Sequence, residues 1–151
     1  MAYPNNNYPN NRGNNRGGYN QNQPRREENK PAGPFPKDYV DFAEKLMKES
    51  YRFITTSKLR NILSLLMDAY NTESLRTADT IAEESAVKLQ MARIRLAYEC
   101  GRDFKTKRFV EDANLLPWLK EIGTSRDMLL HYVHYLEALV AYHRFFGGRE
   151  N

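Results

Sequence analysis

The sequence predicts an all-α fold, a compact bundle of about five helices that follows a disordered N-terminal tail. Apolar residues recur at helical spacing after residue 34, and no stretch shows the alternating, β-branched pattern of a strand. Residues 1–34 contain no Val, Ile, Leu, Phe or Trp, so they cannot bury enough apolar surface to offset the entropy lost on ordering. We therefore expect a tail over residues 1–34 and one helical domain over residues 35–151.

The tail and the domain also differ in charge. The tail carries +3 of the formal charge of +4, and the domain carries +1 from 18 basic and 17 acidic residues. Residues 11–19 have the Asn, Arg and Gly composition of segments that associate with RNA. Their arginines are sparse, which favours a solubilising extension instead. A basic surface on the domain must therefore come from the placement of its charges and not from their total.

The first two helices are predicted over residues 37 to about 53 and 58 to about 71, with a capping cluster at residues 55–57. The second helix has a polar face opposite its apolar stripe, made of Ser57, Arg60, Asn61 and Ser64. No acidic residue occurs from Ser50 to Met67, whereas Arg52, Lys58 and Arg60 do. This stretch is therefore expected to form a modest basic surface.

The third helix is predicted from about residue 75 to residue 98 or 100, with Gly101 as its stop. It carries two apolar rows, Val87, Met91, Ile94 and Tyr98 in one and Ala82, Ala86, Leu89 and Leu96 in the other. The i, i+4 pairs Glu84–Lys88 and Arg95–Glu99 are typical of a solvated helix surface. Arg93 is bordered by apolar residues instead, and its aliphatic stem is expected to cover the core.

Two short helices are expected next. A basic connection over residues 102–108 leads into a helix that carries Phe109 and Val110. Pro117 cannot continue that helix without strain but suits the first turn of another, which contains Trp118 and ends at Gly123.

The last predicted helix, over residues 125–146, is the centre of the bundle. Thr124 or Ser125 caps its start, and a Gly-Gly pair stops it. It is apolar nearly all round, so other helices or lipid must surround it. Glu137 and Arg144 would be costly in hydrocarbon, so we expect no membrane span.

The residues with chemical potential do not form a convincing catalytic site. His131, His134 and Glu137 fan over about 120° of the last helix, so hydrogen-bonded histidines are favoured over a metal site. Cys100 is the single cysteine, which excludes an intrachain disulfide and favours packing over nucleophilic chemistry. We expect no enzyme activity, cofactor or metal, and a reducing cytoplasm as the default location.

Three separated segments are similar to the small subunit of the type III-A CRISPR effector, the Csm complex. They are TTSKLRNILSLL (residues 55–66), LQMARIRLAYECGRD (residues 89–103) and the stretch from FVEDANLLPWLKEIG to YHRFFGG (residues 109–148). Because the three match in order and spacing, the resemblance covers residues 37–148 and leaves the tail outside.

The resemblance implies a non-catalytic helical subunit that stacks in several copies as an inner filament and supports antiviral interference. A basic face would contact the target RNA or the backbone of the crRNA–target duplex. The implied partners are crRNA and target RNA, a backbone subunit, a large subunit and further copies of itself. Cleavage would belong to other subunits. The implied RNA-binding residues are Lys58, Arg60, Asn61, Arg93, Arg95, Arg102 and, as a weaker candidate, Arg126. Arg93 and Arg95 lie 200° apart on one helix, so one can face RNA and the other a neighbouring subunit.

Two other hypotheses remain open at this point. The first is a purely structural adaptor in a cytosolic complex, which makes no contact with RNA. The second is a histidine-based metalloenzyme built on His131 and its neighbours. The RNA-binding interpretation requires that several of the basic residues share one surface of the folded domain.

Overall fold

A computed structural model describes residues 33–151, which form six α-helices: α1 (Tyr39–Ser50), α2 (Thr56–Ser74), α3 (Glu83–Arg102), α4 (Phe104–Asp112), α5 (Leu115–Glu121) and α6 (Arg126–Phe145). Within this range the β-type pairing is a single bridge between Thr80 and Ser125. The all-α prediction is confirmed, with six helices instead of about five. The interpretations of residues 11–19 lie outside the described residues, and the boundary between tail and domain stays a prediction.

Helix α6 is the central element. It packs against α1 and α2, and Leu129, Val133, Tyr135 and Leu139 are fully buried. The hydroxyl of Tyr135 donates to the carbonyl of Ala113 at 2.9 Å, as the Tyr132 hydroxyl does to Leu115 at 2.8 Å. Burial raises the pKa of both phenols. These two bonds join α6 to the turn between α4 and α5 and satisfy polar groups inside the core.

The membrane alternative for the last helix is not supported by its surroundings. Glu137 and Arg144 are exposed on a narrow polar strip of α6, while most of the remaining surface packs on neighbouring helices. Among residues 33–151, no helix is both long and apolar enough to cross a membrane.

The chain before α1 is anchored by aromatic contacts. The ring of Phe35 lies 5.3 Å from that of Trp118, in an edge-to-face arrangement, and 5.9 Å from that of Tyr135. The Trp118 indole also donates to the carbonyl of Gly33 at 2.8 Å. Aromatic pairs of this kind stabilise beyond the area that they bury. The segment therefore belongs to the same core as α5 and α6.

The predicted start of the third helix near residue 75 is wrong, because α3 begins at Glu83. Backbone groups of the connection pair with the chain before α6: the amide of Ile81 donates to Thr124, and that of Arg126 donates to Asp79. A helix over residues 75–82 would use its backbone amides and carbonyls in its own hydrogen bonds and could not pair them with another segment. The stop at Gly101 is also misplaced, since α3 continues through it to Arg102.

The fully buried carboxylate of Glu73 organises this connection. It accepts hydrogen bonds from the Ala82 amide at 2.8 Å and from the Arg76 guanidinium at 2.8 Å. Burial opposes its ionisation, but these bonds and the neighbouring Ser85 hydroxyl and Arg76 charge outweigh it and lower the pKa of Glu73. The carboxylate therefore holds the end of α2 against the start of α3.

Helix α3 buries one of its two predicted apolar rows and exposes the other. Leu89, Ala92 and Leu96 face the core, where α3 packs against α2, α4 and α5. Val87, Met91, Ile94 and Tyr98 are 48–63 % exposed on the opposite side. The second row stays exposed because α2, α4 and α5 pack against the other side of α3. We call Val87, Met91 and Ile94 the α3 stripe.

The C-terminal residues close over the start of α2. The carbonyls of Arg149 and Glu150 accept from the amides of Thr56 and Ser57 at 2.8 and 2.9 Å. Such acceptors satisfy amides that the first turn of a helix leaves free. Gly147 has φ of 85°, which confirms the predicted left-handed stop of the last helix.

Candidate nucleic-acid interface

Helices α2 and α3 border a groove of about 530 Å³, which we call the α2–α3 groove. This volume lies within the range of ligand-binding clefts. The groove is lined by Lys58, Asn61, Ile62, Ser64, Leu65, Arg95, Tyr98, Glu99, Arg102 and Thr106. Four of the seven residues predicted to bind RNA therefore share one surface: Lys58, Asn61, Arg95 and Arg102.

Helical spacing explains why these four side chains meet. On α2, Lys58 and Asn61 are three residues apart, so they project from the same side of the helix. On α3, Arg95 and Arg102 are seven residues apart, which is close to two full turns. Because α2 and α3 pack side by side, the two pairs face one cleft.

The cations of the groove are only lightly held by acidic neighbours. Lys58 pairs with Asp103, and Arg102 lies 3.4 Å from the Glu99 carboxylate. In the part of the chain that the structure describes, Arg95 makes no ion pair. The predicted Arg95–Glu99 pair is thus replaced by Arg102–Glu99. Exposed ion pairs contribute little to stability, so a phosphate can exchange for either carboxylate at small cost.

The corner between α3 and α4 sets the position of these charges. The Asp103 carboxylate caps α4 by accepting from the Lys105 amide at 3.1 Å and from the Thr106 hydroxyl at 2.8 Å. Its second role is to accept from the Lys58 ammonium on α2. One carboxylate therefore fixes the helix corner that follows Arg102 and restrains the lysine across the groove.

Tyr98 is a groove residue that the sequence reasoning missed. Its side chain is 63 % exposed, and the guanidinium of Arg102 lies 5.6 Å from the centroid of its ring. The position of Tyr98 on the helical wheel could have revealed it. Tyr98 lies opposite Leu89 and Leu96, so the apolar row that contains Tyr98 cannot face the same core as the row that contains those leucines.

Arg60 does not line the groove. It lies on the other exposed side of α2, 3.8 Å from the Glu150 carboxylate, which also pairs with Arg144 at 2.6 Å. The residues that begin α2 therefore serve two surfaces, with Lys58 and Asn61 on the groove and Arg60 beside the C-terminal segment.

Arg93 and Arg126 also lie away from the groove. Arg93 is exposed on the opposite flank of α3 from Arg95. The Arg126 side chain is only 15 % exposed, and its Nε donates to the backbone carbonyl of Glu73 at 2.7 Å. This contact gives Arg126 a structural role at the junction of α2 and α6.

The histidines of α6 are spread over different environments. His131 is exposed, His134 lies 3.2 Å from the Tyr70 hydroxyl, and His143 is buried between Thr56 and the carbonyl of Ile54. Over residues 33–151, no three His, Cys, Asp or Glu side chains cluster as a metal site would require.

Cys100 lies on the buried side of α3. Burial, reinforced by the nearby Glu111 carboxylate, raises the pKa of its thiol. A thiol of this kind stays protonated at neutral pH and is a poor nucleophile.

Comparison with known proteins adds a family relationship to this geometry. A family model described as Csm2 Type III-A matches residues 34–149. "CRISPR system Cms protein Csm2" from Mycobacterium tuberculosis (strain CDC 1551 / Oshkosh) is 37% identical over 117 residues, covering 75% of this chain and 94% of the relative. The protein of the same name from Streptococcus thermophilus is 34% identical over 120 residues, with the same two coverages. That from Enterococcus italicus is 28% identical over 123 residues, covering 71% and 88%.

Proposed function

This chain belongs to the Csm2 family of type III-A CRISPR systems, and on that premise we propose that it binds an RNA strand in the α2–α3 groove. Its role is that of a non-catalytic subunit in a cytoplasmic, crRNA-guided complex for antiviral defence. The observation that carries the proposal is the convergence of Lys58, Asn61, Arg95 and Arg102 on one groove from two different helices.

The proposed contact is made with the RNA backbone. Guanidinium and ammonium groups neutralise phosphates, and the Asn61 amide and Ser64 hydroxyl supply hydrogen bonds for ribose or phosphate oxygens. Binding of this kind releases counterions, so it weakens steeply with salt and is largely indifferent to sequence. Because acidic groups already neutralise two of the groove's cations, one isolated copy is expected to bind RNA weakly.

Repetition along a filament compensates for weak binding by one copy, since linked sites act with a high effective concentration. The α3 stripe supports this part of the proposal, because Val87, Met91 and Ile94 have the 4, 3 spacing of a helix–helix seam. We assign it to a second copy of the chain. Three side chains make a small contact, which fits an association that becomes stable only when RNA and the backbone and large subunits hold the copies in line.

The test is a purification from a host that carries the other Csm subunits and a guide RNA. Two copies with different tags are expressed together, and one tag is used for capture. We expect repeat-derived RNA, the partner subunits and the second tag in the eluate. An Ile94→Lys exchange in the α3 stripe should reduce recovery of the second tag, whereas Lys45→Glu on α1 should not.

Three results of this purification would change the proposal. Recovery of the partner subunits with no RNA in the complex favours the structural-adaptor hypothesis. Recovery of neither RNA nor partners contradicts the proposed function. Equal recovery of the second tag with wild-type and Ile94→Lys chains excludes the α3 stripe as the contact between copies.

A further inference from the structure

Tyr98 is the one tyrosine in residues 33–151 whose ring has no aromatic or histidine neighbour. The other six, Tyr39, Tyr51, Tyr70, Tyr132, Tyr135 and Tyr142, all lie within 6.5 Å of another ring. An aromatic ring normally gains by burial, so a ring left 63 % exposed in a cleft has an unused binding surface.

The surroundings of this ring match those of a nucleotide site. Along α3, Arg95 precedes Tyr98 by one turn and Arg102 follows it by one turn, so Tyr98 lies between two arginines whose backbone positions are about 10 Å apart along the helix axis. The Arg102 guanidinium lies 5.6 Å from the ring centroid. Single-strand binding proteins combine a basic groove with an aromatic platform in this way.

We propose that Tyr98 is a stacking platform for an unpaired base, so that the α2–α3 groove prefers RNA that presents an unpaired base over a continuous duplex. The inference rests on the proposed function and adds to it that the bound RNA presents an unpaired base. With the base on Tyr98, the adjoining phosphates reach Arg95 and Arg102, and Asn61 faces the nucleotide from α2. A base inside a duplex has both faces covered and cannot make this contact.

Stacking also gives a definite pattern of sequence dependence. Every base has a π-face, so the platform is tolerant of sequence and favours strongly stacking bases only modestly. Tyr98 therefore supplies the preference for unpaired RNA over duplex RNA, whereas the arginines attract the phosphates of both.

The test compares full-length variants by fluorescence titration at low salt with a single-stranded RNA, a blunt duplex RNA and a mononucleotide. Tyr98→Ala should weaken binding of the single strand about fivefold to a hundredfold and leave the duplex within about twofold. Tyr98→Phe keeps the ring and should bind as the wild type does. Phe145→Ala, which removes an exposed aromatic ring from α6, is the matched control and should have no effect.

The remaining outcomes separate this inference from the proposed function. If Tyr98→Ala binds normally while Arg95→Glu does not, the stacking platform is excluded and the RNA groove remains. If Tyr98→Ala weakens single strand and duplex equally, the ring only supports the groove and the inference is overturned. If the mononucleotide binds as tightly as the single strand, the groove is a site for free nucleotides. If neither variant changes RNA binding, both proposals fail.

Discussion

Replacing Glu73 with Ala should lower the free energy of unfolding by about 3 kcal/mol, a loss comparable to truncating a large core side chain. Its carboxylate is fully buried and accepts from the Ala82 amide and the Arg76 guanidinium. Removing it leaves the part-buried Ala82 amide without an acceptor and leaves the Arg76 guanidinium with the Thr80 carbonyl but no carboxylate, which costs more than the hydrogen bonds themselves contribute. Denaturant unfolding followed by circular dichroism measures the loss.

Glu84→Ala is the control, because Glu84 is an exposed carboxylate that pairs with Lys88 on the surface of α3. That substitution should change stability by less than about 0.5 kcal/mol. Equal losses for the two variants would show that the Glu73 network does not hold the connection between α2 and α3.

The same carboxylate makes stability depend on pH. The pKa of Glu73 is lower in the folded chain than its ordinary value of 4.5. Its contribution to the free energy of unfolding is therefore complete above that value and is lost as pH falls through the folded pKa. The reason is that the Glu73 carboxylate is protonated at a higher pH in the unfolded chain than in the folded chain. The stability difference between wild type and Glu73→Gln should be constant near neutral pH and shrink below about pH 4.5.

The double exchange Arg95→Glu and Arg102→Glu should weaken RNA binding about a hundredfold at low salt. Each arginine loses a charge-assisted contact that is worth roughly tenfold in affinity, and the new carboxylates repel the backbone. Two fewer phosphate contacts should also reduce the slope of log K against log salt by about 1.4 for a single strand. Titration of a labelled RNA over a series of salt concentrations gives both quantities.

A matched variant separates a local contact from a change in total charge. Arg93→Glu with Lys45→Glu alters the net charge equally, but neither residue borders the α2–α3 groove. We expect this variant to keep wild-type affinity within about threefold. If both double variants lose the same affinity, the protein attracts RNA by its overall charge and the groove has no special role.

Local patterns predicted the helices well, because caps and stops depend on neighbouring residues alone. Thr55 and Ser125 accept from the amides three residues on, and Gly147 stops the last helix as expected. The connection over residues 75–82 was misassigned, since its backbone groups pair with the distant residues Thr124 and Arg126. A pairing of that kind leaves no periodic trace in the sequence.

The site was predictable only in part for a related reason. Residue type and resemblance selected seven candidate residues, four of which line one groove, but their meeting point depends on how α2 and α3 pack together. The sequence therefore grouped Arg126 with Arg95, although tertiary packing commits Arg126 to the carbonyl of Glu73. It also listed Tyr98 only as a member of an apolar row, because two apolar rows on α3 do not reveal which row the other helices cover.

Site-specific photo-crosslinking tests most directly whether RNA lies in the α2–α3 groove. A photoreactive amino acid is placed at Ser64 in the groove or at Glu44 on α1, each within the assembled complex carrying guide and target RNA. We predict RNA adducts from position 64 and none above background from position 44. Adducts from position 44 with none from position 64 would contradict the account and place the RNA on another face of the subunit.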